Sequence, residues 1–210
     1  MVEPVTDLDP TRVRAKLERI REQTGPDVEI LAATKYVRDE DMGALAEAGI
    51  ELVGENRLQD LEAKQRRWGD RFTWDFIGNL QSRKLKRIVP LVRLIHSVAS
   101  DSVLEQLGKH AGPETEVLVE VNLSGEAGKG GIAPSELDSF IERCPARISG
   151  LMTMPPLTED PEDSRPYFAR LAELASERSL ERLSMGTTQD WPVAVQEGAT
   201  IIRLGSVLWA

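Results

Sequence analysis

Residues 30–41 read ILAATKYVRDED, an apolar run that breaks off at Thr34 and Lys35 and passes straight into a charged, helix-prone segment. A strand that feeds a helix is the building unit of a parallel sheet, and this turn separates the two common ways of assembling such units. An open doubly wound sheet usually carries a glycine-rich phosphate turn after its first strand. Here that turn holds no glycine at all. A closed barrel makes no such demand of its first turn, so the segment favours closure.

Working outward, the same alternation continues to the end of the chain. Strands are expected at Val28–Thr34, Glu51–Val53, Thr73–Ile77, Arg93–His96, Glu116–Asn122, Arg147–Met152, Arg182–Met185 and Thr200–Leu204. Helical patterns lie between them, among them Asp39–Ala48, Asn56–Trp68, Ser100–Ala111, Pro134–Arg143 and Glu162–Ser179. Eight strands alternating with helices predict an α/β fold, a (β/α)₈ barrel, as one domain over residues 1–210. An additional helix precedes the first strand. Asp9 can cap it, Pro10 suits its first turn, and Leu8, Val13, Leu17 and Ile20 make one apolar stripe. The sequence RLGSVLWA after the eighth strand leaves little room for a further helix, so the N-terminal one is expected to close the outer ring. No repeat, linker or low-complexity stretch interrupts the pattern.

Composition narrows the function. A formal charge of −9 and a pI near 4.9 argue against nucleic acid or an anionic membrane as partner. The single cysteine, Cys144, excludes an internal disulfide and suits a reducing compartment. The chain shows no apolar signal core and no run near the ~20 residues of a membrane span. It reads as cytoplasmic. With His96 and His110 the only histidines and no ligand-like spacing, no metal site is expected.

A barrel places its working residues at the C-terminal ends of its strands. Lys35 follows VEILAAT, so its stem is expected inside the mouth, where burial would disfavour the ammonium form and favour Schiff-base chemistry. The competing reading is a lysine that reaches solvent or pairs with a carboxylate such as Glu55. After strands seven and eight, LSMGTTQDW and RLGSVLW supply Ser184, Gly186, Thr187, Gly205 and Ser206, small residues suited to cradling a phosphate. The competing reading makes Gly186 and Gly205 turn residues, and Thr188 or Asp190 a helix cap before Trp191. Arg203 ends the last strand where a ring could sit beside that phosphate. Its lasting charge would keep a facing pyridine nitrogen unprotonated, unless it serves a structural ion pair instead.

Seven segments in order, LAATKYV, GENRLQD, WDFIGNLQSRKLK, IHSVAS, VLVEVNLSGEAGKGGI, ISGLMTMPP and LSMGTTQDWPVAVQEGATIIRLGSVLW, resemble the YggS/PROSC family of pyridoxal phosphate homeostasis proteins. They span residues 31–209. The resemblance implies a fold-type III barrel like the N-terminal domain of alanine racemase, with pyridoxal 5′-phosphate on Lys35. It further implies Asn56 near the cofactor ring, Arg203 facing the pyridine nitrogen, and Ser184, Gly205 and Ser206 at the phosphate. Lys129 becomes a possible second cofactor contact. Three departures stand out. Asn79 replaces the histidine relatives usually carry, Thr188 takes the place of a serine hydroxyl, and the C-terminus is shorter.

Three functions compete. A carrier would bind the cofactor reversibly for intracellular homeostasis, as a monomer meeting cofactor-dependent apo-enzymes only transiently. A racemase would need acid–base groups on both faces of the substrate carbon, and Tyr36 and Tyr167 are poorly placed for the second. An aldolase-type enzyme would use Lys35 without the cofactor. The carrier without robust turnover is the expected function. The basic cluster Arg83, Lys84, Lys86 and Arg87 reads as a solvated helix face, with a docking patch for another protein as the alternative.

Overall fold

Period-two patterning puts one face of every strand against helices and the other inside a barrel. The computed structural model describes residues 7–126 and 128–209. Its strands are β1 (Glu29–Ala33), β2 (Leu52–Glu55), β3 (Thr73–Phe76), β4 (Leu94–Val98), β5 (Glu116–Glu120), β6 (Arg147–Met152), β7 (Arg182–Thr187) and β8 (Ile201–Leu204). All pair in parallel, each with its chain neighbour, and β8 returns to β1 with Leu31 opposite Arg203. The expected closed barrel is present.

The outward-facing residues, including Val53, Trp74, Phe76, Ile95, Val119, Met185 and Ile202, share one large core with the helices. Leu31, Leu94, Leu118, Met152 and Ile201 form a separate cluster inside the barrel. Each fully buried aliphatic side chain contributes roughly 1.5–3 kcal/mol, which makes this double layer the main source of stability. The helices are α1 (Pro10–Thr24), α2 (Met42–Glu47), α3 (Leu58–Trp68), α4 (Leu85–Ile88), α5 (Asp101–His110), α6 (Leu137–Arg143), α7 (Arg165–Ser176) and α8 (Trp191–Gln196). α1 begins as expected, with the Asp9 carboxylate accepting the Thr11 N–H at 2.9 Å. Its buried Val13, Leu17 and Ile20 lie on the helix that packs beside α2, α8 and the turn at Ser206–Leu208. The N-terminal helix thus fills the outer-ring position beyond β8.

Boundaries differ from expectation in two informative ways. Strands β2 and β7 run on through Glu55 and Thr187. Glu55 stays in register because an outward partner satisfies it, described below. In β7 the pairing with β8 shifts between Ser184 and Thr187, around Gly186 at φ +88°. A Cβ at Gly186 would stand 2.6 Å from that of Ala194, so this glycine both permits the bulge and lets α8 approach. Segments expected to be helical from their first residue open instead with 3₁₀ turns at Asp39–Asp41, Pro134–Glu136 and Pro161–Ser164.

Candidate functional site

At the C-terminal mouth of the barrel lies a cavity of about 580 Å³. Lys35, Tyr36, Asn56, Thr187, Thr188, Arg203, Gly205 and Ser206 are among its walls. Four of the seven expected cofactor residues are thereby brought to one cavity with Lys35. The other two, Ser184 and Gly186, lie outside its lining.

Lys35 sits one turn beyond β1. It is exposed at the mouth, not buried in it, with Nζ 4.8 Å from the centre of the Tyr36 ring. The reason is local. Thr34 is the buried residue of this turn and points outward, its hydroxyl donating to Glu55 Oε1 at 2.6 Å. Glu55 is not a partner for Lys35. Its Oε1 also takes the buried Lys64 ammonium at 2.6 Å, and Lys64 donates to the Thr34 carbonyl at 2.8 Å. This pair on the outer side of β2 therefore pins the backbone just before Lys35.

Asn56 follows Glu55. A Cβ at Gly78 would meet the Asn56 carbonyl at 2.0 Å, so only glycine lets the end of β3 come this close. Asn56 Oδ1 is buried without a hydrogen-bond partner among the described residues. Asn79, where relatives usually have histidine, is exposed in the loop after β3 and is not part of the cavity wall.

On the opposite rim, Asp190 organises the β7–α8 turn. It accepts the Thr187 N–H at 2.7 Å and the Thr187 hydroxyl at 3.0 Å, and its other oxygen takes the Ser164 hydroxyl. Thr188 Oγ1 accepts the Gly205 N–H at 3.1 Å. Thr187, Thr188, Gly205 and Ser206 thus form one small polar wall. Thr188, read from sequence only as a substitute hydroxyl, belongs to it directly.

Ser184 lies apart from that wall. It is fully buried within the barrel, two residues below the rim. Its hydroxyl lies 2.8 Å from His96 Nδ1 and accepts a hydrogen bond from Arg203 Nη1. Its hydroxyl is thus engaged below the cavity, whose walls do not include it. The residue faces the barrel interior, deeper than Thr187 and Thr188 of the same turn. Gly186 likewise acts beneath the cavity, by placing Thr187 and Thr188.

Arg203 is buried, yet one wall of the cavity is its own. Nη1 also donates to the Ser184 carbonyl at 2.8 Å and Nη2 to the Thr153 carbonyl at 3.0 Å, with the Met154 sulfur 2.8 Å away. Burial pushes its pKa down to about 10, so it remains a cation at neutral pH. Among the described residues no ion pair holds it; the Ser184 and Thr153 carbonyls and the Ser184 hydroxyl do. Glu120, at the end of β5, has its carboxyl raised by burial, against the pull of Arg203.

Below Arg203 a polar chain descends through the barrel. His96 Nε2 lies 3.1 Å from Asp75 Oδ2, and Arg93 bonds both Asp75 oxygens, at 3.1 and 2.7 Å. Arg93 in turn forks onto Glu29 at the N-terminal face, with two contacts of 2.9 Å. Burial lowers the His96 pKa despite its carboxylate neighbour. Burial alone would raise Asp75, but hydrogen bonds from His96 and Arg93 outweigh it and hold the carboxyl below its usual range. Sequence reading found none of this network. His96 in the run LIHSV and Asp75 in TWDF, polar residues within otherwise apolar strands, were the available signal.

Other candidates stand apart from the mouth. Lys129 pairs with Glu126 at 3.0 Å in the loop after β5. Arg87 pairs with Glu62 at 2.5 Å on the outer face. Cys144 is half-buried and burial raises its thiol pKa. Among the described residues no cluster of three or more potential metal ligands occurs, and no helix is long and apolar enough to cross a membrane.

The sequence signature described as "Alanine racemase, N-terminal domain" matches residues 8–210. The pyridoxal phosphate homeostasis protein of Aquifex aeolicus is 37% identical over 216 residues, covering 95% of each chain. The protein of that name from Pseudomonas aeruginosa is 34% identical, covering 94% of this chain and 92% of its own. The structure of PipY from Synechococcus elongatus, solved with PLP bound, superposes with a TM-score of 0.83 at 33% identity, covering 94% of this chain and 100% of that one. Alanine racemase from Corynebacterium glutamicum gives a TM-score of 0.73 at 14% identity, covering 96% of this chain and 60% of that one, a likeness of fold alone.

Proposed function

This chain belongs to the alanine racemase N-terminal-domain family, among its pyridoxal phosphate homeostasis proteins, and from that premise we propose that it carries pyridoxal 5′-phosphate in the barrel mouth, as a Schiff base on Lys35. One observation carries the reading. Lys35, Asn56, Arg203, Gly205 and Ser206, drawn from strands β1, β2 and β8 and the turns after them, meet around a single cavity.

The residues fit the group. An amide oxygen buried without a partner costs on the order of 1–3 kcal/mol, and Asn56 Oδ1 has none among the described residues while its side chain borders the cavity. That is a polar position waiting for a ligand. Arg203 offers a fixed cation to the ring nitrogen. Thr188, Gly205 and Ser206 offer hydroxyls and close backbone approach to the phosphate, with Thr187 shaping the wall beside them. The bound cofactor supplies an aldehyde carbon for reversible capture by an amine. Lys35 would supply that amine, and its exposed position would leave the linkage open to water or to another amine.

Reversibility is what a homeostatic carrier needs. Tyr36 lies against Lys35 itself, so it does not supply an acid–base group on the face opposite the lysine. We therefore read the protein as a carrier in the cytoplasm, working as a monomer, with cofactor-dependent apo-enzymes as transient partners. The test is a visible spectrum of the purified protein before and after borohydride, followed by peptide mass spectrometry. Pyridoxyl should appear on the Lys35 peptide. A dominant label on Lys129, or no band at all, would overturn the assignment.

A further inference from the structure

The barrel interior offers apolar positions in plenty, filled by Leu31, Leu94, Leu118 and Ile201. Beside them, β3, β4, β7 and β8 nevertheless align Asp75, His96, Ser184 and Arg203 in one continuous chain. Filling such positions with well-packed hydrophobic residues is often neutral or stabilising, so stability alone does not explain the chain.

Its protons can be assigned one by one. Arginine only donates, so Arg203 Nη1 gives a proton to Ser184 Oγ. A serine oxygen can accept from both neighbours, so the tautomer is settled at the other ring nitrogen, which faces the Asp75 carboxylate. With the proton held there, His96 Nδ1, 2.8 Å from Ser184 Oγ, accepts the serine proton. The neutral imidazole then carries its proton on Nε2 and gives it to Asp75 Oδ2 at 3.1 Å. The opposite tautomer would set an Nε2 lone pair against the Asp75 carboxylate. Arg93 closes the far end, bonding Asp75 and reaching Glu29 at the surface. Between Arg203 and Asp75 every donor points away from Arg203, and Asp75, His96 and Ser184 are not among the residues that line the cavity.

We propose that Asp75, His96 and Ser184 form a donor-ordered relay that fixes the Arg203 guanidinium toward the cofactor's ring nitrogen, making His96 and Ser184 positioning residues for a contact they do not themselves make. Without the relay, Nη1 keeps the Ser184 carbonyl but loses its side-chain acceptor, which loosens the guanidinium against the pull of Glu120 and Asp190, the carboxylates whose charge it feels. The proposal rests on the reading of the mouth as a pyridoxal phosphate site.

The test compares two ligands, pyridoxal phosphate and its carbocyclic analogue in which C–H replaces the ring nitrogen. Both keep aldehyde and phosphate. Wild-type protein should bind pyridoxal phosphate more tightly, by about tenfold or more for a charge-assisted hydrogen bond. His96→Leu and Ser184→Ala should lose most of that preference while the analogue's Kd moves little. His96→Asn, which keeps an acceptor near the Nδ1 position but not the reach to Asp75, should retain more of it. A merely structural role would weaken both ligands alike, and that result overturns the relay. Should His96→Leu fail to fold, Ser184→Ala decides by itself, and an unchanged preference there is equally fatal. Wild-type protein that binds both ligands equally refutes the relay while the cofactor site stands. Wild-type protein that takes up neither refutes the cofactor reading and the relay with it.

Discussion

Replacing Lys64 with methionine is expected to destabilise the protein by about 3–5 kcal/mol, the usual cost of removing one partner from a buried ion pair. The size follows from the geometry. Glu55 is fully buried, its side chain 0% exposed, and Lys64 is 7% exposed. Of the two carboxylate oxygens, Oε1 takes Lys64 and the Thr34 hydroxyl, both at 2.6 Å, while Oε2 has no partner among the described residues. Without Lys64 a buried carboxylate would keep one neutral hydrogen bond, and the Thr34 carbonyl would lose a donor as well. For a domain of this size each kcal/mol shifts Tm by about 2–4 °C, so a fall of roughly 6–20 °C is expected. Urea unfolding and calorimetry of Lys64→Met, Glu55→Leu and the double variant form a complete cycle. The double variant should recover most of the loss, ending within about 1–2 kcal/mol of wild type, because no charge is then stranded. A single-variant cost below about 1 kcal/mol, or strictly additive losses, would show that the pair is not the buried anchor described here. Because the pair holds the residue before Lys35, Lys64→Met should also slow labelling of Lys35 by pyridoxal phosphate and borohydride.

Ser206→Ala should weaken pyridoxal phosphate more than pyridoxal, by up to about 1.5–3 kcal/mol, whereas Ser184→Ala should weaken both alike; paired titrations check this, and the reverse pattern would return Ser184 to the phosphate. Incubation with L-alanine in D₂O should give slow deuterium uptake at the α-carbon and little D-isomer, and turnover near the enzyme median of ~10 s⁻¹ would mean that a second base exists. Acid should destabilise the native state through Asp75 and Glu29. Both carboxyls are held below their ordinary values when folded, so their stabilisation is present above about pH 4 and is lost as pH falls through the folded pKa. Urea midpoints between pH 7 and pH 3 should therefore fall less steeply for Asp75→Asn, and an identical slope would remove Asp75 from that account.

What the sequence by itself determined was the architecture and the address of the site. Alternating strand and helix patterns required a parallel sheet, the glycine-free turn after β1 pointed to a barrel, and the barrel rule sent attention to strand ends. That reasoning reached Lys35, Arg203, Gly205 and Ser206, and the family resemblance added Asn56; all five border the mouth cavity. It works because strand parity and strand termini are local properties, readable within a few residues. Depth and direction are not local. Whether Ser184 stands at the rim or two residues below it depends on the stagger of β7 against β8 and on the bulge at Gly186. Whether Lys35 is buried depends on which way Thr34 turns, and that is settled by Glu55 and Lys64, 21 and 30 residues further along the chain. The chain from Asp75 to Arg203 joins four strands across the barrel, with partners up to 88 residues apart. Only closure brings Ser184 on β7 within 2.8 Å of His96 on β4. Desolvation then decides their charges and proton positions, and it acts through space, where the order of residues along the chain carries no record of it.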